Sequence, residues 1–125
     1  MVKTMAKQLF PQEIEVWYIL PAVRKALAEE MMARSMPQTE IALLLGTSEA
    51  TISHYRQEKR AKKEIFNLTI KKEVKKAVGR IQKNSTLLFD EVIKLCRLAR
   101  KERIICQVHH QKNKLPKNCS CEWIK

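Results

Sequence analysis

The chain has 125 residues, 45% of them hydrophobic, with only 2 Gly and 4 Pro and a formal net charge of +12. That length holds one domain, or a small domain with an appended module, and so little Gly and Pro excludes long disordered linkers. Residues 1–55 hold 5 Lys and Arg against 6 Asp and Glu, whereas residues 56–125 hold 20 against 7, so the whole excess lies in the second half. Such a split points to a polyanionic partner, usually nucleic acid. An anionic membrane would need an amphipathic helix with bulky aromatics beside the lysines. Here the Lys-rich stretch offers only Phe66 and aliphatic residues, so no membrane partner is expected. The scarcity of Gly and of alternating β-branched runs predicts an all-α fold.

Met1 to Phe10 lacks an apolar core and a small-residue cleavage site, and the longest apolar run, Val16 to Val23, is too short to span a bilayer. The expected location is therefore the cytoplasm. A first helix is predicted over Pro11–Leu20, with Pro at its first position and Glu13 and Glu15 in its first turn. Trp17 and Tyr18 are large enough that this helix is expected to dock on the core. Pro21 kinks or restarts it, and Val23, Ala26, Leu27 and Met31 continue at helical spacing to about Arg34. Ser35–Met36–Pro37 then breaks the helix.

Residues 37–60, PQTEIALLLGTSEATISHYRQEKR, read as two short helices joined by a tight turn. Ile41, Ala42 and Leu45 give the first, Gln38–Leu45, an apolar face. Gly46 follows where a helix C-terminus favours a left-handed residue, and Thr47 or Ser48 offers an oxygen to cap the next helix, Ser48 to about Gln57. In that second helix Ile52 and Tyr55 face inward, while Glu49, Ala50, Ser53, His54 and Gln57 lie on the other side. Small, polar, hydrogen-bonding residues ahead of a basic segment suit a recognition helix laid in a DNA major groove. Ser48, Glu49, Ala50, Thr51, Ser53, His54, Arg56 and Gln57, with Lys59, Arg60, Lys62 and Lys63 behind them, form the expected DNA-binding set.

A third helical stretch, from about Lys62 or Thr69 to Ile81, carries an apolar stripe of Ile70, Val74, Ala77 (or Val78) and Ile81. Lys71, Lys72, Lys75 and Lys76 flank it and are expected to touch phosphates. Asn84 and Ser85 look like an N-cap for a further helix to about Arg100. Its apolar face is Leu88, Val92, Leu95 and Ala99, widened by Leu87, Phe89 and Cys96. Two such helices are expected to pair across a two-fold axis as a homodimer, or else to close on the N-terminal helices. The expected organisation is a DNA-binding head over residues 10–61, a basic helical segment for dimerisation over 62–103 and a cysteine-rich tail over 104–125.

All four cysteines, Cys96, Cys106, Cys119 and Cys121, fall in the last third. In a cytosolic chain this clustering reads as a metal or redox site before a structural disulfide. Four thiolates would serve a zinc ion or an iron–sulfur cluster, although Cys119-x-Cys121 is shorter than the usual Cys-x-x-Cys. A disulfide, or no cofactor at all, are the alternatives. His109 and His110 stand second as zinc ligands, in what reads as a polar turn. No paired carboxylates, nucleophile elbow or phosphate-binding Gly loop is present, so no enzymatic activity is expected.

PQEIEVWYILPAVRKALAEEM, followed by PQTEIALLLGTSEATISHYRQEKR, resembles the small archaeal transcription regulators with an XRE/Cro-type helix-turn-helix. The tail, with Cys96, Ile-Ile-Cys106, His109, Leu-Pro, Cys119 and Cys121, is similar to their cysteine-bearing tails, which are proposed to hold an iron–sulfur cluster. The resemblance implies that Gln38 and Thr39 anchor phosphate at the start of the first helix of the pair, and that Glu49, Ala50, Ser53 and His54 face bases. The function it implies is sequence-specific DNA binding in transcription regulation, responsive to redox state or iron–sulfur supply. The alternative is a sequence-neutral architectural DNA- or RNA-binding protein with a structural zinc site.

Overall fold

The structure, a computed structural model, describes residues 10–58 and 66–112, without the side chains of Glu58 and of residues 109–112. Every element among them is helical, in line with the all-α expectation. The first rod comprises α1 (Pro11–Ile14), a π-helical turn (Glu15–Ile19) and α2 (Leu20–Ala33). Pro11 opens it, and the Glu13 carboxylate accepts the Phe10 backbone N–H at 2.8 Å. The π turn is the local answer to Pro21. A proline has no N–H, and in a regular α-helix its ring meets the carbonyl four residues back, that of Trp17. Widening the preceding turn, so that the Leu20 N–H bonds the Glu15 carbonyl, relieves that contact. Ile14 and Ile19 stay wholly buried, but Val16 and Trp17 are turned outward, Trp17 at 56% exposure. Only Tyr18 of the expected aromatic pair packs on the core.

After a corner at Ser35, whose φ is 64°, come α3 (Gln38–Leu45) and α4 (Glu49–Glu58). Both pack on α2 and on each other. Then follow α5 (Leu68–Lys83), a 3₁₀ turn (Ser85–Leu87), α6 (Leu88–Lys101) and α7 (Ile104–Lys112). Asn67 caps α5 by accepting the Ile70 N–H, and Asn84 caps the 3₁₀ turn by accepting the Thr86 N–H.

One apolar cluster runs from Ile14 to Val108. Val23, Leu27 and Met31 of α2, Ile41 and Ile52 of the α3–α4 pair, Ile70, Val78 and Ile81 of α5, Leu95 and Ala99 of α6, and Ile104 and Ile105 of α7 all share it. Each Val, Leu, Ile or Met among them, taken from water to the interior, contributes about 1.5–3 kcal/mol. The α5 and α6 stripes read as a dimer seam are therefore inside this core, against α2 and each other. Of the two arrangements open for those stripes, closure on the N-terminal helices is the one observed.

Polar ties fix the packing. Arg34, at the end of α2, donates through Nε to Glu30 at 2.9 Å, through Nη2 to the Lys75 carbonyl at 2.9 Å and through Nη1 to Gln82 at 3.0 Å. Gly79 leaves room for this guanidinium on α5; a Cβ there would lie 3.4 Å from Nη1. Arg80 binds Glu91 in a two-pronged pair at 2.8 and 2.9 Å, joining α5 to α6. Glu91 is only 2% exposed, and the Arg80 hydrogen bond holds its carboxyl below the usual range. Among the described residues, no helix is long and apolar enough to cross a membrane.

Candidate nucleic-acid interface

The α3–α4 pair is built around its turn. Gly46 sits at φ 66°, ψ 37°, the left-handed conformation that a side chain disfavours. The Thr47 N–H reaches back to the Ala42 carbonyl at 3.0 Å, and the Gly46 N–H to Leu43 at 3.4 Å. Those two bonds close α3 and aim the chain into α4. Ser48 then caps α4: its Oγ accepts the Thr51 N–H at 3.1 Å and lies 3.0 Å from the Thr51 hydroxyl. Both hydroxyls are thus engaged in shaping the helix start, which makes their contribution to any ligand positional.

Ile41, Ala42, Leu45 and Ile52 are buried at the contact between the two helices and α2, and Tyr55 packs beside them. Opposite them, Glu49, Ala50, His54, Arg56 and Gln57 are exposed, with Ser53 half-buried. The outward face expected from helical spacing is the one presented. Thr39 is exposed and Gln38 half-buried at the start of α3. Sequence reasoning missed the bond between them and α4: the Ser53 hydroxyl donates to Gln38 Oε1 at 3.2 Å. It fixes the beginning of α3 to the outward side of α4. It also leaves the Gln38 amide N–H₂ as a donor pair, the chemistry a phosphate oxygen accepts. Gln at the first position of one helix and Ser at mid-height of the next was the available signal.

Lys59, Arg60, Lys62 and Lys63 lie outside the described residues. Lys71, Lys72, Lys75 and Lys76 are exposed on α5, which packs on α2 and α6. Their link to the α3–α4 pair is the corner after α2. Arg34, four positions before the first residue of α3, is held to the Lys75 carbonyl of α5.

Of the four cysteines, Cys96 and Cys106 are among the described residues. Cys96 on α6 is half-buried beside Glu15 and Arg100; burial, reinforced by the Glu15 carboxylate, pushes its thiol up to about 11. Cys106, on α7, is disulfide-bonded; Cys119 and Cys121 lie outside the described residues. Among the described residues, no group of three or more His, Cys, Asp or Glu is placed to hold a metal ion. The segment with His109 and His110, read as a turn, is helical in α7, and their side chains are not described.

Comparison with family models, curated proteins and solved structures finds no match for this chain.

Proposed function

We propose that the protein is a sequence-specific DNA-binding transcription regulator that reads duplex DNA with the outward face of α4. The observation that carries this reading is the α3–turn–α4 unit: a left-handed Gly46 and a Ser48 cap hold α4 so that Ile52 is buried while Glu49, Ala50, Ser53, His54 and Gln57 face outward. A helix of 10 residues with short polar side chains on one face fits the width of a major groove, where those side chains reach base edges. Before Arg56 the pair carries Glu40 and Glu49 and no Lys or Arg, so affinity comes from the Lys and Arg beyond it and along α5. Gln38, tied to Ser53, fixes the register through the phosphate backbone.

The test is competition. A labelled duplex recovered from a random pool is displaced by unlabelled copies of itself and by random duplex, at one salt concentration. The reading predicts that random duplex competes at least about 10³-fold more weakly. Equal competition by every duplex, or by RNA, would instead favour a sequence-neutral coat built on the exposed lysines of α5.

A further inference from the structure

The inner face of α6 is taken up by the core, yet its outer face carries large apolar side chains. Phe89 is 76% exposed and Ile93 53% exposed. They are four residues apart on one helix, so their side chains are neighbours. Leu95 and Ala99, which face the core, lie on the opposite side. Along the same outer face the charges are ordered, with Asp90 toward the N-terminus and Arg97 and Lys101 toward the C-terminus. Asp90 and Arg97 are two turns apart, about 10.5 Å along the axis, too far to pair within one helix.

We infer that this face is a homodimer surface, on which α6 of a second copy packs antiparallel about a two-fold axis near Ile93. An isologous contact requires a surface complementary to itself. The order of charges on α6 meets that requirement. Reversing the helix about Ile93 sets Phe89 level with Arg97 of the second copy and Asp90 one residue, about 1.5 Å along the axis, from that same Arg97, and the same pair forms again on the other side of the axis. Ile93 meets its own copy at the centre, and Phe89 covers the stem of the opposing Arg97, a favourable contact for a guanidinium. Lys94, beside the axis, lies 3.7 Å from Glu91 of its own chain, which offsets its charge there. The antiparallel arrangement also sets opposite helix-dipole ends side by side.

This rests on the DNA-binding reading only for what the dimer is used for, so it is tested without nucleic acid. The full chain is followed by sedimentation equilibrium over a concentration series, with circular dichroism to verify folding. The wild type is expected to reach twice the monomer mass. Asp90→Arg and Arg97→Asp, both at exposed positions, each set like charges opposite one another and weaken association about tenfold or more. A mixture of the two variants restores opposite charges on both sides of the axis and recovers the dimer, whereas Ile93→Glu is monomeric. A wild-type chain that stays monomeric throughout, a dimer indifferent to both reversals, or a mixture that fails to recover would each overturn the inference. A dimer that selects no DNA sequence leaves it standing and refutes the other reading; a sequence-selective monomer does the reverse.

Discussion

Gly46→Ala isolates the turn on which the α3–α4 unit depends. At φ 66° and ψ 37° an L-residue sits in the left-handed region, which costs roughly 1–2 kcal/mol. A Cβ built at Gly46 meets nothing within 4 Å, so no steric term is added. Alanine also restricts the unfolded chain, which returns roughly 0.4–1 kcal/mol. The net expectation is a destabilisation of about 1 kcal/mol, or a fall of roughly 0.5 M in the urea midpoint at an m-value of about 2 kcal/mol/M. Gly46→Asn, whose side chain tolerates this conformation, should lose clearly less. Urea unfolding followed by circular dichroism measures both. A neutral alanine variant would refute the left-handed cap. A loss above about 3 kcal/mol would refute the open space around Gly46, and an asparagine variant no better than alanine would refute the backbone origin of the cost.

Other outcomes follow from named contacts. Glu91→Gln removes the charge from a buried, two-pronged pair with Arg80 and is expected to cost about 1–3 kcal/mol in urea unfolding at neutral pH. The folded-state pKa of Glu91 is depressed, so its stabilisation is complete above the ordinary carboxylate range and disappears as pH falls through the folded value; the gap between wild type and Glu91→Gln should therefore close in acid. Cys96, raised from 9.0 to about 11, should be alkylated by iodoacetamide at neutral pH about 100-fold more slowly than an unperturbed thiol, with a rate still rising above pH 9; fast alkylation at pH 7 would contradict its burial. Arg34→Lys should lose part of the link between α2 and α5, about 1 kcal/mol, because an ammonium cannot serve Glu30, Lys75 and Gln82 from one planar fork.

The legible parts of this fold are those written in local chemistry. Gly46 after Leu45, Ser48 ahead of α4 and Asn84 ahead of the 3₁₀ turn are terminus signals that act within a few residues, and each occupies its expected place. The stripe of Ile70, Val74, Ala77 and Ile81 was visible because its period matches the helix. What the stripe touches was not, since two amphipathic helices look alike whether they meet their own chain or a second copy. Trp17 was expected on the core from its size; it lies in the π turn before Pro21 at 56% exposure, while Ile14 and Ile19 hold the buried side. α7 went unread because Ile104, Ile105, Val108 and paired histidines favour helix weakly; burial of Ile104, Ile105 and Val108 against the rest of the core overrides that preference. In the candidate interface, the outward set on α4 follows from spacing alone. The Ser53–Gln38 bond spans 15 positions and depends on how α3 and α4 cross, which no single-helix pattern encodes.

The central claim is that α4 discriminates bases while basic residues elsewhere supply affinity. Site selection from a random duplex pool, run in parallel with wild type and His54→Ala, tests it most directly, with the salt dependence of binding measured for each. The account predicts an enriched motif for the wild type, an altered preference confined to part of that motif for the variant, and the same salt slope for both, at about 0.9 per phosphate neutralised. No enrichment by the wild type, or a variant that binds every sequence more weakly with its preference unchanged, would contradict it.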